Sequence, residues 1–237
     1  MNCKVLVVTV PGATDRQEMM RENMKAVGVP FDFIRSPPPE QVNGNYMTGM
    51  YDRPGGDITD SNYLQRCRSC LEGHSKALYY FITRYKQPHL VVLEDDVVPL
   101  VGFRKSLLTL IAHAKQLDSW DAINLFDRKY GWNEGPEPRT SGPRKKEATR
   151  LLYSGIYGWG SLGYLYNRTG RLQKLYHGYA FARVPVDMWL RNHWDTFDMF
   201  TAKTPLLSFS DKPSLMCPTR PYAPDQIEQC GLAPQTD

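Results

Sequence analysis

The segment Lys4-Val5-Leu6-Val7-Val8-Thr9-Val10 is a continuous apolar, β-branched run, the pattern of a strand covered on both faces rather than one alternating between core and water. It reads as the first central strand of an α/β sheet. Pro11-Gly12-Ala13 turns the chain, Thr14 and Gln17 have the spacing of an N-terminal capping box, and Met19, Met20, Met24 and Val27 give helical burial up to Gly28. Phe31 to Ile34 then supplies a second strand, so the opening is a βαβ unit in the making.

Downstream the same alternation continues. Pro37-Pro38-Pro39 and the glycine-rich stretch from Gly44 to Gly56 predict a long loop, either a binding loop or an ordinary surface excursion. A helical pattern from Asp60 to Tyr85 leads into His89 to Leu93, a short apolar strand that runs straight into Glu94-Asp95-Asp96. Phe103 to Ala114 has the spacing of a helix packed on a sheet, Ala122 to Phe126 and Leu162 to Tyr166 read as strands, and Thr169 to Tyr176 and Pro185 to Trp194 read as helices. The pattern predicts one α/β domain over 1–237, a mostly parallel, Rossmann-like sheet flanked by helices, with a proline-rich C-terminal tail from about residue 205.

The composition, 41% hydrophobic and 23% charged, is that of an ordinary folded protein. A net charge of +4 suits a phosphate-bearing ligand and falls short of a nucleic-acid footprint, so no nucleic-acid partner is expected. No apolar run approaches the roughly 20 residues that cross a bilayer, and a first strand beginning at Lys4 leaves no room for a signal peptide. A soluble, cytoplasmic protein without a transmembrane segment is the expectation. Cys3, Cys67, Cys70, Cys217 and Cys230 are odd in number and scattered, which suggests a reducing compartment. Cys67 and Cys70 have CxxC spacing but lack a second close pair, so two ordinary helix cysteines are expected over a zinc or redox pair. Arg139, Arg144, Lys145, Lys146 and Arg150 form a basic cluster, read as a solvated loop or as a contact for donor phosphate or an anionic acceptor.

Glu94-Asp95-Asp96 is the most informative feature. In an extended segment Glu94 and Asp96 project to one side and Asp95 to the other. Carboxylates a few ångströms apart repel, so such a cluster at a sheet end calls for a counter-charge, and a divalent cation is the economical one. Mg²⁺ or Mn²⁺ is held by one or two carboxylates while phosphates and waters complete the octahedron. A nucleotide diphosphate outside the carboxyl ends of the strands fits that description. The bland reading is a solvated strand end with one acid capping a turn; acidic pairs at strand ends also occur in metal-dependent phosphatases.

Taken together, several blocks resemble glycosyltransferase family 25, the lipopolysaccharide-type and collagen-type galactosyltransferases with a GT-A fold. They are Asp15-Arg16 with its Met-bearing helix, Cys70-Leu71-Glu72-Gly73-His74, Val92-Leu93-Glu94-Asp95-Asp96-Val97, Gly163-Tyr164-Leu165-Tyr166 with Thr169-Gly170, and Pro185-Val186-Asp187. Glu72 stands where the family usually has a small residue, and Asn167-Arg168 replaces its Ser-Arg or Ser-Lys. The resemblance implies an inverting, Mn²⁺- or Mg²⁺-assisted transfer of galactose or another hexose or pentose from a UDP-sugar donor to a hydroxyl of a glycan or glycoconjugate acceptor. On this resemblance Asp96 is the metal ligand, Glu94 a second ligand or ribose contact, and Asp95 a donor-sugar or neighbouring contact. Thr9 and Pro11 lie by the uracil with Arg16 nearby, and His74 belongs to the donor site.

An acceptor hydroxyl needs a base, and Asp187 is the candidate, its other reading being a cap for the helix that follows. His74 and His193 are alternative ligands or bases, or packed residues. Trp132, Trp159, Trp189 and Trp194 offer an aromatic platform for a sugar, or core packing. The sequon Asn167-Arg168-Thr169 reads as a chance match. The competing functions are a catalytically inactive nucleotide-sugar or glycan-binding protein of the same fold, and a metal-dependent phosphohydrolase.

Overall fold

A computed structural model describes residues 2–44, 47, 61–126, 149–154, 161–193 and 196–210. The opening run forms β1 (Cys3–Thr9), followed by α1 (Thr14–Ala26), β2 (Asp32–Arg35) and a 3-10 turn (Pro39–Gln41). Next come α2 (Ser61–Arg84), β3 (His89–Glu94), β4 (Val97–Pro99), α3 (Phe103–Ala114) and β5 (Ala122–Asn124). The chain continues through β6 (Leu152–Ser154), β7 (Gly163–Asn167), α4 (Leu172–Phe181), α5 (Val186–Asn192), β8 (Met199–Ala202) and β9 (Leu207–Phe209). The protein is mixed α/β.

One seven-stranded sheet has the order β2-β1-β3-β7-β5-β8-β6, and β4 and β9 form a separate two-stranded pair. β1 is parallel to both β2 and β3, and β5 is parallel to β8. β7 is antiparallel to β3 and β5, and β6 is antiparallel to β8. Most strands therefore share one direction, while the run expected at Leu162 to Tyr166 enters reversed between β3 and β5. Its residues are buried, and burial on both faces gives the same continuous apolar text in either direction.

Alternation along β1 and β3 divides the core between the two faces. Val5, Val7, Val91 and Leu93 pack with Met20 and Met24 of α1 and Phe103 and Leu107 of α3. Leu6, Val8, Leu90 and Val92 pack with Leu71, Leu78 and Phe81 of α2 and with Tyr166, Leu175 and Tyr179 on the other face. Hence the last residues of these two strands point alternately at α1 and at α2.

Gly73 sets how closely α2 lies on β1. A Cβ there would come 2.8 Å from Ser36 Oγ and nearer still to Val8 Cγ1. Gly73→Ala is therefore expected to destabilise the fold by about 1–3 kcal/mol through overpacking, despite the better helix propensity of alanine. A denaturation midpoint equal to or above that of the unmodified chain would contradict this packing.

Several expectations need correction. The capping box is absent: α1 has Ala13 as its N-cap with no side-chain cap bond. Gln17 instead turns back to β1, its Nε2 donating to Thr9 Oγ1 and to the Val10 carbonyl, each at 3.2 Å. Within the segment after residue 205, Leu207–Phe209 pairs with β4, and Ser210 N donates to the Asp96 carbonyl at 3.0 Å. Residues 211–237, with Cys217 and Cys230, lie outside the described residues, as do most of the loop from Gly44 to Gly56, Trp132, Trp159, Trp194, and Arg139, Arg144, Lys145 and Lys146. Among the described residues, no helix is long and apolar enough to cross a membrane.

Candidate functional site at the carboxyl edge of the sheet

The path from β1 out to β2 and back past β1 to β3 creates a point where chain connections leave in opposite directions. Open α/β sheets bind ligands in the crevice outside the strand ends at such a switch point. A cleft of about 420 Å³, open solvent included, lies there, lined among others by Thr9, Arg16, Cys70, Glu94, Asp95 and Asp96.

Asp95 follows Leu93 on the α1 face. Its Oδ2 accepts a 2.5 Å hydrogen bond from Thr9 Oγ1, and its Oδ1 lies 3.3 Å from Arg16 Nη1. Burial pushes the Asp95 carboxyl above its ordinary value, and the charge of Arg16 and the bond from Thr9 counter this only in part. Arg16 is itself buried, 8% exposed, and its Nη2 has no hydrogen-bond partner among the described residues. A guanidinium that lines a cleft with one fork spent and the other unspent is a ready anion contact.

Glu94 follows Val92 on the α2 face. Its Oε1 is 3.4 Å from both Cys70 Sγ and His74 Nε2 and accepts a short bond from Ser161 Oγ. Burial raises the Glu94 carboxyl, but the bond and charge of His74, with Ser161 and Cys70, outweigh it and leave it below the ordinary value. Burial, and then the Glu94 charge, push the Cys70 thiol well up. Ser161 reaches this point because β7 runs backwards and so begins at the carboxyl edge, where Glu94 N donates to the Leu162 carbonyl at 3.0 Å.

Asp96 is buried and lines the same cleft, at the turn between β3 and β4. A hard divalent cation wants one or two carboxylates. The donor set fits through Asp96, a buried carboxylate that lines the cleft; Asp95 is bonded to Thr9 and Arg16, and Glu94 meets Ser161, Cys70 and His74.

Asp187 is buried in the first turn of α5, where its Oδ1 accepts from Met188 N at 2.9 Å. Pro185, not Asp187, is the N-cap. Asp187 does not line the described cleft. Burial first, and then the electrostatic influence of Asp187, Tyr166, Glu94 and Cys70, pushes the hydroxyl of the buried Tyr164 well above its ordinary value.

Other expected residues stand apart. Pro11 is exposed on the turn after β1 and is not among the cleft residues. Glu72 pairs with Arg68 at 2.7 Å along α2. His193 has its Nδ1 2.8 Å from the Trp189 carbonyl and stacks on the Trp189 ring, a packed residue rather than a base, while Trp189 fills the space beside Gly178. Asn167 of the sequon donates its amide to the Trp120 carbonyl at 3.1 Å and Thr169 bonds Asp121, so both are spent internally. Cys67 is a core residue. Cys70 was expected to be an ordinary helix cysteine, and Ser161 was not anticipated. The i, i+4 spacing of Cys70 and His74 puts them on one helix face and was the available signal for the first; Ser161 carried none.

No family model matches the chain, and no curated protein matches it. Among solved structures, the crystal structure of A197 from STIV is similar at 12% identity, covering 87% of this chain and 83% of that chain with a TM-score of 0.39. A likeness at that level carries no argument about function.

Proposed function

We propose that this protein is an inverting glycosyltransferase of GT-A type, similar to family 25, which moves a sugar from a UDP-sugar donor to a hydroxyl of a glycan or glycoconjugate with the help of Mn²⁺ or Mg²⁺. The observation that carries the reading is the pairing, in one cleft at the β1/β3 switch point, of a buried half-paired arginine with buried carboxylates. A metal-bound diphosphate presents both charges such a cleft needs: a cation for Asp96 and phosphate oxygens for Arg16. When bound, the cation would act as a Lewis acid toward the departing diphosphate.

The chain's own residues have separable tasks. Asp95 and Thr9 hold the Arg16 fork against the end of β1, leaving Nη2 for an anion. Gln17 fixes Thr9 in turn. Asp187 is proposed as the base that takes the acceptor's proton. Asp187→Asn is expected to lower kcat by about a hundredfold or more while donor affinity changes little, since general-base contributions run 10² to 10⁴. A normal kcat would exclude it and leave Asp187 as a helix-start residue.

Incubation with a panel of UDP-sugars and Mn²⁺ tests the whole reading. Slow, preferential hydrolysis of one donor is expected, and with an acceptor present faster release of UDP from that donor as the sugar passes to the acceptor hydroxyl. Binding with every donor left intact would identify a non-catalytic binding protein, and cleavage of phosphate esters without sugar preference a phosphohydrolase.

A further inference from the structure

We propose that Cys70, His74 and Glu94 form a second metal site, for a borderline cation of the Zn²⁺ type, distinct from the hard-cation role of Asp96. Their ligand atoms all lie within 4.8 Å of one another. Cys70 and His74 are presented by adjacent turns of α2, and Glu94 closes β3, so the three come from two regular elements, α2 lying closely at Gly73 on β1, which pairs with β3.

The distances favour coordination over a hydrogen-bond network. The Sγ and Nε2 atoms are each 3.4 Å from the same Glu94 oxygen, which already accepts from Ser161. For nitrogen that is beyond the ordinary 2.7–3.2 Å range of a hydrogen bond, and one oxygen with two lone pairs is asked to serve three donors. A tetrahedral site with metal–ligand bonds of about 2.0–2.3 Å has ligand–ligand edges of about 3.3–3.8 Å. The two spacings to Glu94 match edges of such a tetrahedron, and the third, between the cysteine and histidine ligand atoms, lies within 4.8 Å and closes on a metal by a small side-chain shift. His74 is fully buried and its Nδ1 has no hydrogen-bond partner among the described residues, so Nε2, at this cluster, is the ring nitrogen that faces a polar group.

Ligand type sets the metal. Thiolate with imidazole selects Zn²⁺ and its neighbours, whereas Mg²⁺ and Mn²⁺ prefer carboxylate and water. On binding, Cys70 gives its thiol proton to solvent as the sulfur–metal bond forms. Three protein ligands leave the fourth position to a water or a cleft molecule, while Ser161, hydrogen-bonded to the Glu94 oxygen, orients that ligand.

Titration with Co²⁺ of the full chain, prepared metal-free under reducing conditions, tests the site without reference to activity. About one equivalent is expected to bind with a thiolate-to-cobalt charge-transfer band in the near ultraviolet and intense tetrahedral bands in the visible, both displaced by Zn²⁺. Cys70→Ser is expected to remove the charge-transfer band, His74→Ala to weaken Co²⁺ binding at least about tenfold, and Asp96→Ala to leave the bands in place. Absence of the thiolate band from the unmodified chain, or its persistence in a folded Cys70→Ser chain, would overturn the proposal. Because the readout needs no nucleotide, failure here leaves the transferase reading intact, and failure of UDP binding leaves this site intact.

Discussion

Asp96→Ala should lose Mn²⁺-dependent binding of UDP almost entirely, with affinity falling about a hundredfold or more, while the fold survives. The carboxylate is buried against a cleft rather than in the apolar core, and its place in the turn between β3 and β4 depends on the backbone bond from Ser210 to its carbonyl, which alanine keeps. Hard cations at diphosphate sites are held by very few protein oxygens, so losing one of one or two carboxylates removes most of the protein's hold. Calorimetric titration with UDP at fixed Mn²⁺, beside a thermal unfolding curve, separates the two effects. Unchanged affinity in a stable variant would remove Asp96 from the metal site.

Arg16→Met should damage both stability and ligand binding. The substitution keeps the apolar stem but leaves Asp95 buried with only Thr9 for company, and breaking a buried pair costs about 3–5 kcal/mol. It also removes the unspent Nη2 and with it the anion contact. Arg16→Lys distinguishes the two losses: a lysine restores charge near Asp95 but is a point donor that does not serve carboxylate and phosphate with separate nitrogens. Lysine should therefore recover most of the stability, read as a urea midpoint, while UDP binding stays weakened about tenfold or more. Recovery of both together would mean that Arg16 acts only as a counter-charge.

The parts of this architecture legible in sequence are those carried by long periodic segments. Phe103–Ala114 forms a helix over the expected bounds, and the apolar runs of β1 and β3 are central strands that deliver Thr9 and Glu94 to one edge. The direction of β7 was not legible, nor were β4 and β9, three residues each, too short to carry a period. At the site the alternation of Glu94 and Asp95 between faces followed from strand geometry, and Thr9, Arg16 and the three acids do line one cleft. What each acid meets did not follow. Asp95 finds Arg16 on α1 and Glu94 finds Cys70 and His74 on α2, contacts between distant stretches of chain that depend on how closely the helices lie on the sheet. Thr14 and Gln17 show the opposite failure, a good local pattern overridden because Gln17 does better against the end of β1.

The most direct test of the central claim is a single binding measurement: UDP titrated into the unmodified chain with and without Mn²⁺. Saturable binding that strengthens at least about tenfold with the cation, and is competed by UDP-sugars but not by uridine, is the predicted result. No binding, or binding indifferent to Mn²⁺, would contradict a cleft built around a metal-bound diphosphate.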